Sequence, residues 1–133
     1  MKRLNTISPE LDKKMERLQI ASQKNIAFTA CRYALNASAF DSEDVSHALL
    51  TLENGQKLNQ AELDALREQS IETDELYFEQ YENDNPNYLT TFSYARVLSA
   101  LLFLVEGEYS ESVYESLMAV EDNTDLLNIL DSK

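Results

Sequence analysis

The stretch from Tyr88 to Glu106 constrains the fold more than any other part of the chain. On a helical wheel Leu89, Phe92, Ala95, Val97, Leu98, Leu101, Leu102, Leu104 and Val105 surround most of the circumference. A helix that is apolar on nearly every side must be enclosed by other elements. Gly107 ends it, and Asn83-Asp84-Asn85-Pro86-Asn87 before it is the clearest loop in the sequence. What encloses it must be helical too. The chain has 2 glycines and 2 prolines in 133 residues, so few of the positive-φ turns that hairpin-rich β folds require can be built. The length suits one domain. A hydrophobic fraction of 44%, with 7 Tyr and 5 Phe, is enough for a packed core. The fold read from these features is all-α. It is a single helical domain over residues 1–133, a compact bundle of about five to six helices with a central hydrophobic helix near residues 88–106.

The remaining helices carry their own boundary signals. Ser8 caps and Pro9 occupies the first helical position of a segment with Leu11, Met15 and Leu18 on one side. Ile26, Cys31, Ala34 and Leu35 continue the apolar pattern, and Ser22-Gln23-Lys24-Asn25 is polar enough to divide it into two helices or bend one. Asn36–Phe40 reads as a turn. Asp41 or Ser42 caps a helix with Val45, Ala48, Leu49 and Leu52 inward, ended by Asn54-Gly55. Asn59 and Glu62 form a capping-box pattern for a helix from about Gln60 to Glu82. A helix over Tyr109–Val120 and a short terminal one after Asn123 complete the chain. Met1-Lys2-Arg3 has the sign of a signal n-region, but no apolar run follows. The longest unbroken apolar run, Ala100–Val105, is far shorter than the roughly 20 residues of a spanning helix. A lone Cys31 permits no internal disulfide. These features predict a soluble, cytoplasmic protein.

Charge is strongly segregated. The formal net charge is −13, from 24 acidic and 11 basic residues. Residues 1–40 carry 7 basic and 3 acidic side chains, whereas residues 41–133 carry 4 basic and 21 acidic ones. Such a field repels nucleic acid and anionic membranes and attracts a basic surface. On the Gln60–Glu82 helix, Glu72, Glu75, Glu79 and Glu82 fall within about 80° and make a ridge about 15 Å long. Leu63, Leu66, Tyr77 and Tyr81 gather opposite. On the Tyr109–Val120 helix, Glu108, Glu111, Glu115 and Asp122 share one side, with Val113, Leu117 and Val120 on the other. Neighbouring like charges weaken an isolated helix by a few tenths of a kcal/mol per pair, and a surface selected for solubility alone usually mixes signs. The candidate partner-binding residues are therefore Glu72, Glu75, Tyr77, Phe78, Glu79, Glu82, Glu108, Glu111 and Glu115, with aromatics beside carboxylates as in many interfaces. The plainer alternative is a solvated acidic face. The basic N-terminal helix could also pair with the acidic body and reduce that field.

Catalytic constellations are missing from the sequence. One His and one Cys cannot supply a zinc site, and a carboxylate-bridged dimetal bundle needs two Glu-x-x-His pairs. Gly55 and Gly107 stand alone, so there is no phosphate loop or nucleophile elbow. Cys31 lies among Ala30, Ala34 and Leu35 and reads as a buried thiol; His47 reads as a surface or boundary residue of its helix. A chain without Trp offers little of a sugar cleft for paired carboxylates. A non-enzyme with no catalytic residue, metal or cofactor is the expectation.

The stretch Leu18–Leu35, with Gln23, Ala27-Phe28 and Ala30 on an early helix ahead of an acidic helical body, resembles small helical immunity proteins of bacterial toxin systems. Those are cytoplasmic antidotes to contact-dependent or polymorphic toxins. The resemblance implies a protein that binds one cognate toxin domain tightly and has no activity of its own. Many such toxins are nucleases with basic active sites, which an acidic ridge would suit. The expected partner is thus a toxin with a basic surface, without direct nucleic-acid or membrane contact. The alternatives are a nucleic-acid mimic that inhibits a DNA-binding protein, or a non-catalytic helical adaptor, possible as a homodimer through Tyr88–Val105.

Overall fold

The computed structural model describes residues 2–133; Met1, the opening of the signal-like basic run, lies outside them. The described residues form eight α-helices and no strand. They are α1 (Leu4–Ile7), α2 (Pro9–Arg17), α3 (Ile20–Ser38), α4 (Glu43–Glu53), α5 (Gln60–Glu82), α6 (Tyr88–Glu106), α7 (Tyr109–Ala119) and α8 (Thr124–Asp131). The all-α class stands, but the count of five to six is too low. The difference lies in the first forty residues, which make three helices. The break falls at Leu18 and Gln19, both extended, and the polar run Ser22–Asn25 sits inside α3. The Gln23 side chain donates to the Leu18 carbonyl at 2.9 Å and so takes up a carbonyl left free by the break.

Other boundaries follow their local chemistry. Ser8 and Ser42 accept hydrogen bonds from the backbone N–H groups of Leu11 and Val45, capping α2 and α4. Gly107 is left-handed at the end of α6 (φ 81°). Helix α3 runs on through Asn36 to Ser38 and stops at Ala39, a non-glycine residue at φ 53°. The Ala39 N–H reaches the Asn36 carbonyl, and the Phe40 N–H reaches that of Leu35 at 3.4 Å, a Schellman-type closure.

Two helices lie at the centre, where the sequence pattern nominated one. From Thr91 to Val105 no residue of α6 is exposed. The same holds for every residue of α7, a helix bearing three serines and two glutamates. Helices α6 and α7 form an antiparallel pair, with Ser112 opposite Ala100 and Glu115 opposite Arg96. The Ser112 hydroxyl donates to the Ala100 carbonyl at 2.7 Å, and the Ser116 hydroxyl to the Ser112 carbonyl at 2.9 Å. Buried hydroxyls with internal acceptors carry no desolvation deficit. Helix α3 covers α7 and α6, α1 packs on α2 and α7, α8 packs on α3, and α5 lies along α6. One core joins Leu4, Leu11, Met15, Ile26, Val45, Leu98, Leu101, Val113, Leu117, Leu126 and Leu130. By length and composition α6 is apolar enough to cross a bilayer, with a mean hydropathy of 1.5. In this fold its faces are taken by α3, α5 and α7.

The left-handed Ala39 gives a direct check of the helix-stop chemistry. A Cβ in that region costs roughly 1–2 kcal/mol, partly offset by the larger unfolded-state entropy of glycine. Ala39→Gly should therefore raise the free energy of unfolding by up to about 1 kcal/mol, read as a higher urea midpoint with an unchanged slope.

Candidate functional site

Helix α5 is held at its start and left open along its length. Asn59 and Glu62 form the full capping box, with the Glu62 N–H on Asn59 Oδ1 at 2.8 Å and the Asn59 N–H on Glu62 Oε1 at 2.9 Å. Glu62 also meets His47 Nε2 of α4 at 2.6 Å. The Asn59 N–H, with His47 second, holds its carboxyl below the ordinary value. Ser42, also beside α4, donates to Gln69 at 3.1 Å. Beyond this point α5 is attached to α6 by aromatic rings. Tyr77 lies 5.5 Å from Phe92 and 6.4 Å from Tyr88, and Tyr81 meets Tyr88 edge-on at 5.6 Å.

Of the 23 residues of α5, only Leu66 is buried. Glu72, Glu75, Glu79 and Glu82 are all exposed. So are four large apolar residues: Ile71 (60%), Leu76 (45%), Phe78 (62%) and Tyr81 (59%). Glu68, Ile71, Glu75, Phe78 and Glu82 lie within about 80° on the outermost side. The ridge is thus a mixed strip, with apolar side chains seven residues apart set among carboxylates. Leu89 at the start of α6 adds a further exposed apolar residue, 61% accessible. Tyr81, placed opposite the ridge by the wheel, is more exposed than Leu63 or Leu66 because α6 ends its cover near Tyr88.

The second stripe does not form. Glu115 is 3% exposed, and both its oxygens are taken: Oε1 by Arg3 Nη2 at 2.9 Å and Oε2 by Arg96 Nη1 at 2.7 Å. Glu111 is half-buried and accepts from Arg3 Nε at 2.7 Å. Glu108 at the head of α7 and Asp122 beyond its end remain exposed. The wheel failed because α7 has no solvent side; its acidic face is turned to α1 and α6. The Arg3 guanidinium also lies 4.3 Å from the Tyr114 ring.

Two further N-terminal cations also have partners outside α5. Lys14 donates to the Leu130 and Asp131 carbonyls at the end of α8, both at 2.9 Å. Arg32 pairs with Glu53 at 2.5 Å. Among the described residues no ion pair joins residues 2–40 to α5. Helix α5 itself carries eight carboxylates and one cation, Arg67.

Between α5 and α6 lies a cleft of about 240 Å³, walled by Tyr77, Phe78 and Phe92, with Asp74 and Arg96 as its charged members. Arg96 stacks over Phe92 at 4.7 Å while bonded to Glu115. Asp74 has no ion pair among the described residues. Partial burial raises its carboxyl pKa; Arg96 opposes the shift and the like charge of Glu115 adds to it. Neither Ile71, Asp74 nor Arg96 was marked from the sequence. Ile71 was legible, since it precedes Phe78 by seven residues in phase with the glutamates. The cleft was not, since it joins residues far apart in the chain.

Cys31 is fully buried, and burial pushes its thiol up to about 12, so the nucleophilic thiolate is not populated near neutrality. His47 stands 64% exposed and engaged with Glu62. No family model, curated protein or solved structure matches the chain.

Two outcomes test this geometry. Glu115→Ala leaves two guanidinium groups without their shared acceptor and should cost about 2–4 kcal/mol, because both remain partly hydrated. Glu111→Ala, which removes a more exposed pair, should cost under about 1 kcal/mol. Equal losses in urea denaturation would show that Glu115 is not the central acceptor. Asp74 works in the opposite sense. A carboxyl raised in the folded state binds protons more readily there, so its penalty is complete above the raised value and vanishes below the unfolded one. Asp74→Asn should therefore stabilise the protein at neutral pH, with the gain fading as the pH falls through the carboxylate range.

Proposed function

We propose that the chain is an immunity protein of a bacterial toxin system, which binds one cognate toxin domain with a basic surface, a nuclease domain foremost, and acts by occupancy. The observation that supports this most is the outer strip of α5. Among the described residues its glutamates form no ion pair with the basic N-terminal segment, whose Arg3, Lys14 and Arg32 are bound to α7, α8 and α4. Ile71 and Phe78 stand exposed among them. An apolar centre rimmed by one sign of charge fits a protein partner with the opposite arrangement.

The same strip ranks the alternatives. A nucleic-acid mimic needs carboxylates at phosphate-like spacing and gains nothing from an exposed Ile71 or Phe78. A homodimer through Tyr88–Val105 would use residues that are already covered from Thr91 onward. A homodimer through α5 would set its carboxylates against their own copies with Arg67 as the sole cation on each side.

The test is binding to the product of the toxin gene encoded beside it, measured by calorimetry; no complex at micromolar concentration ends the reading. Within a complex, the double variant Glu75→Lys with Glu79→Lys should slow association by about tenfold or more at low salt. The gap should narrow as ionic strength rises, since the Debye length falls from about 30 Å at 0.01 M to about 8 Å at 0.15 M. Stopped-flow mixing reads both. Unchanged association would move the interface off α5.

A further inference from the structure

We propose that the cleft between α5 and α6 is an anchor pocket for one arginine side chain of the partner, its guanidinium against Tyr77 and Phe78 and bonded to Asp74. This rests on the reading above for the partner being a basic protein; the pocket's chemistry comes from its own walls.

Size comes first. At about 240 Å³ the cleft is smaller than the roughly 300–1,000 Å³ typical of small-molecule sites. It has room for a long side chain and its terminal group. The walls then select the chemistry. Tyr77 and Phe78 stand 5.3 Å apart with their planes tilted 60°. Phe92, 5.5 Å from Tyr77, already carries the Arg96 guanidinium at 4.7 Å. A cation over an aromatic face gains from the ring quadrupole, and more when partly desolvated. Arginine also stacks through its plane and offers paired donors to a carboxylate, which a lysine ammonium does not.

Charge balance shows that the place is open to a cation although Arg96 lines it. Arg96 is compensated: it bonds Glu115, which also takes Arg3, and Arg3 in turn takes Glu111. Two guanidinium groups face two carboxylates, and the group sums to zero. Asp74 stands outside that group without an ion pair, on the side of α5 that lines the cleft and about 80–100° round the helix from Glu82 and Glu75. Its raised pKa has the same origin, a carboxyl partly withdrawn from water with too little positive charge nearby. A guanidinium entering the cleft supplies the missing counter-ion. The exposed half of Phe78 closes over its stem, so the anchor joins the ridge and the apolar strip into one surface.

The experiment follows the ring and side-chain resonances of Tyr77, Phe78 and Phe92 by NMR in the full chain. The probes are N-acetyl-arginine amide, N-acetyl-lysine amide and N-acetyl-norleucine amide. Saturable shifts with the arginine probe, several-fold weaker binding of lysine and none of norleucine are expected. Asp74→Asn should abolish the response, and Glu72→Gln should leave it. Asp74→Asn is expected to fold at least as stably as the parent, so loss of binding cannot come from unfolding. Shifts that never saturate, or that persist in Asp74→Asn, overturn the proposal. In the toxin complex, Asp74→Asn and Phe78→Ala should each raise Kd about tenfold or more through faster dissociation. If both variants bind the toxin like the parent, the anchor is wrong and the immunity reading stands. If the arginine probe saturates the cleft but the parent binds no toxin, the pocket stands and the immunity reading falls.

Discussion

The carboxylate of Glu115, buried in α7 and shared by Arg3 and Arg96, sets the terms for the rest of this structure. A carboxylate taken out of water is costly unless its lone pairs are filled and its charge met. Here the two arginines approach from different elements, so satisfying one oxygen closes α1 over α7, and satisfying the other fixes α6 against α7. The closure brings Leu4 into the core, fully buried. The surrounding hydroxyls of Ser112 and Ser116 find acceptors within the same helix pair. A helix that looks half polar can therefore sit at the centre, because its most deeply buried polar groups, Ser112, Glu115 and Ser116, each have a partner.

That arrangement also decides what the surface presents. Arg3, Lys14 and Arg32 are committed to α7, α8 and α4. Had the basic first forty residues lain along α5, the strongest charge asymmetry in the chain would have cancelled within the fold. Instead α5 keeps its field and accepts the cost. Like charges at helical spacing take away a few tenths of a kcal/mol per pair, and Ile71 and Phe78, more than half exposed, contribute little burial. The helix persists because its capping box, its docking on α4 and its aromatic contacts with α6 compensate locally. Stability is concentrated around α6 and α7, and the proposed binding chemistry on the least buried helix.

The legible and illegible parts of this fold divide along one line. Features written in a single helix could be read: the Gln60 start at Asn59 and Glu62, the Asn83–Asn87 loop, and the Gly107 stop all coincide with the observed boundaries. Four carboxylates along one exposed side of α5 could be read as well. Features that depend on what packs opposite could not. The Leu18–Gln19 break has no Gly or Pro to announce it. Ala39 adopts a glycine-like conformation because α3 must stop there. Glu115 has the same local context as a surface glutamate, and only the packing of α6 with Arg96 and the approach of Arg3, more than a hundred residues away, make it a buried one. The Asp74 cleft needs both α5 and α6 before it exists.

The separation of charge from cleft suggests a division of work in time. The glutamates of α5 extend over roughly 30 Å of helix at 1.5 Å per residue, and their field acts at a distance before contact, so it would govern how often the proposed basic partner arrives in register. Once water is expelled, exposed charges add little further affinity, because the gain in attraction is offset by lost hydration. In the proposed complex, what then holds the partner is desolvated contact with the rings of Tyr77 and Phe78 and a charge that meets Asp74. Such a surface places its specificity in the cleft. Any basic surface can be drawn towards α5, but under the proposed anchor only one with a guanidinium at the right position fills the space between α5 and α6.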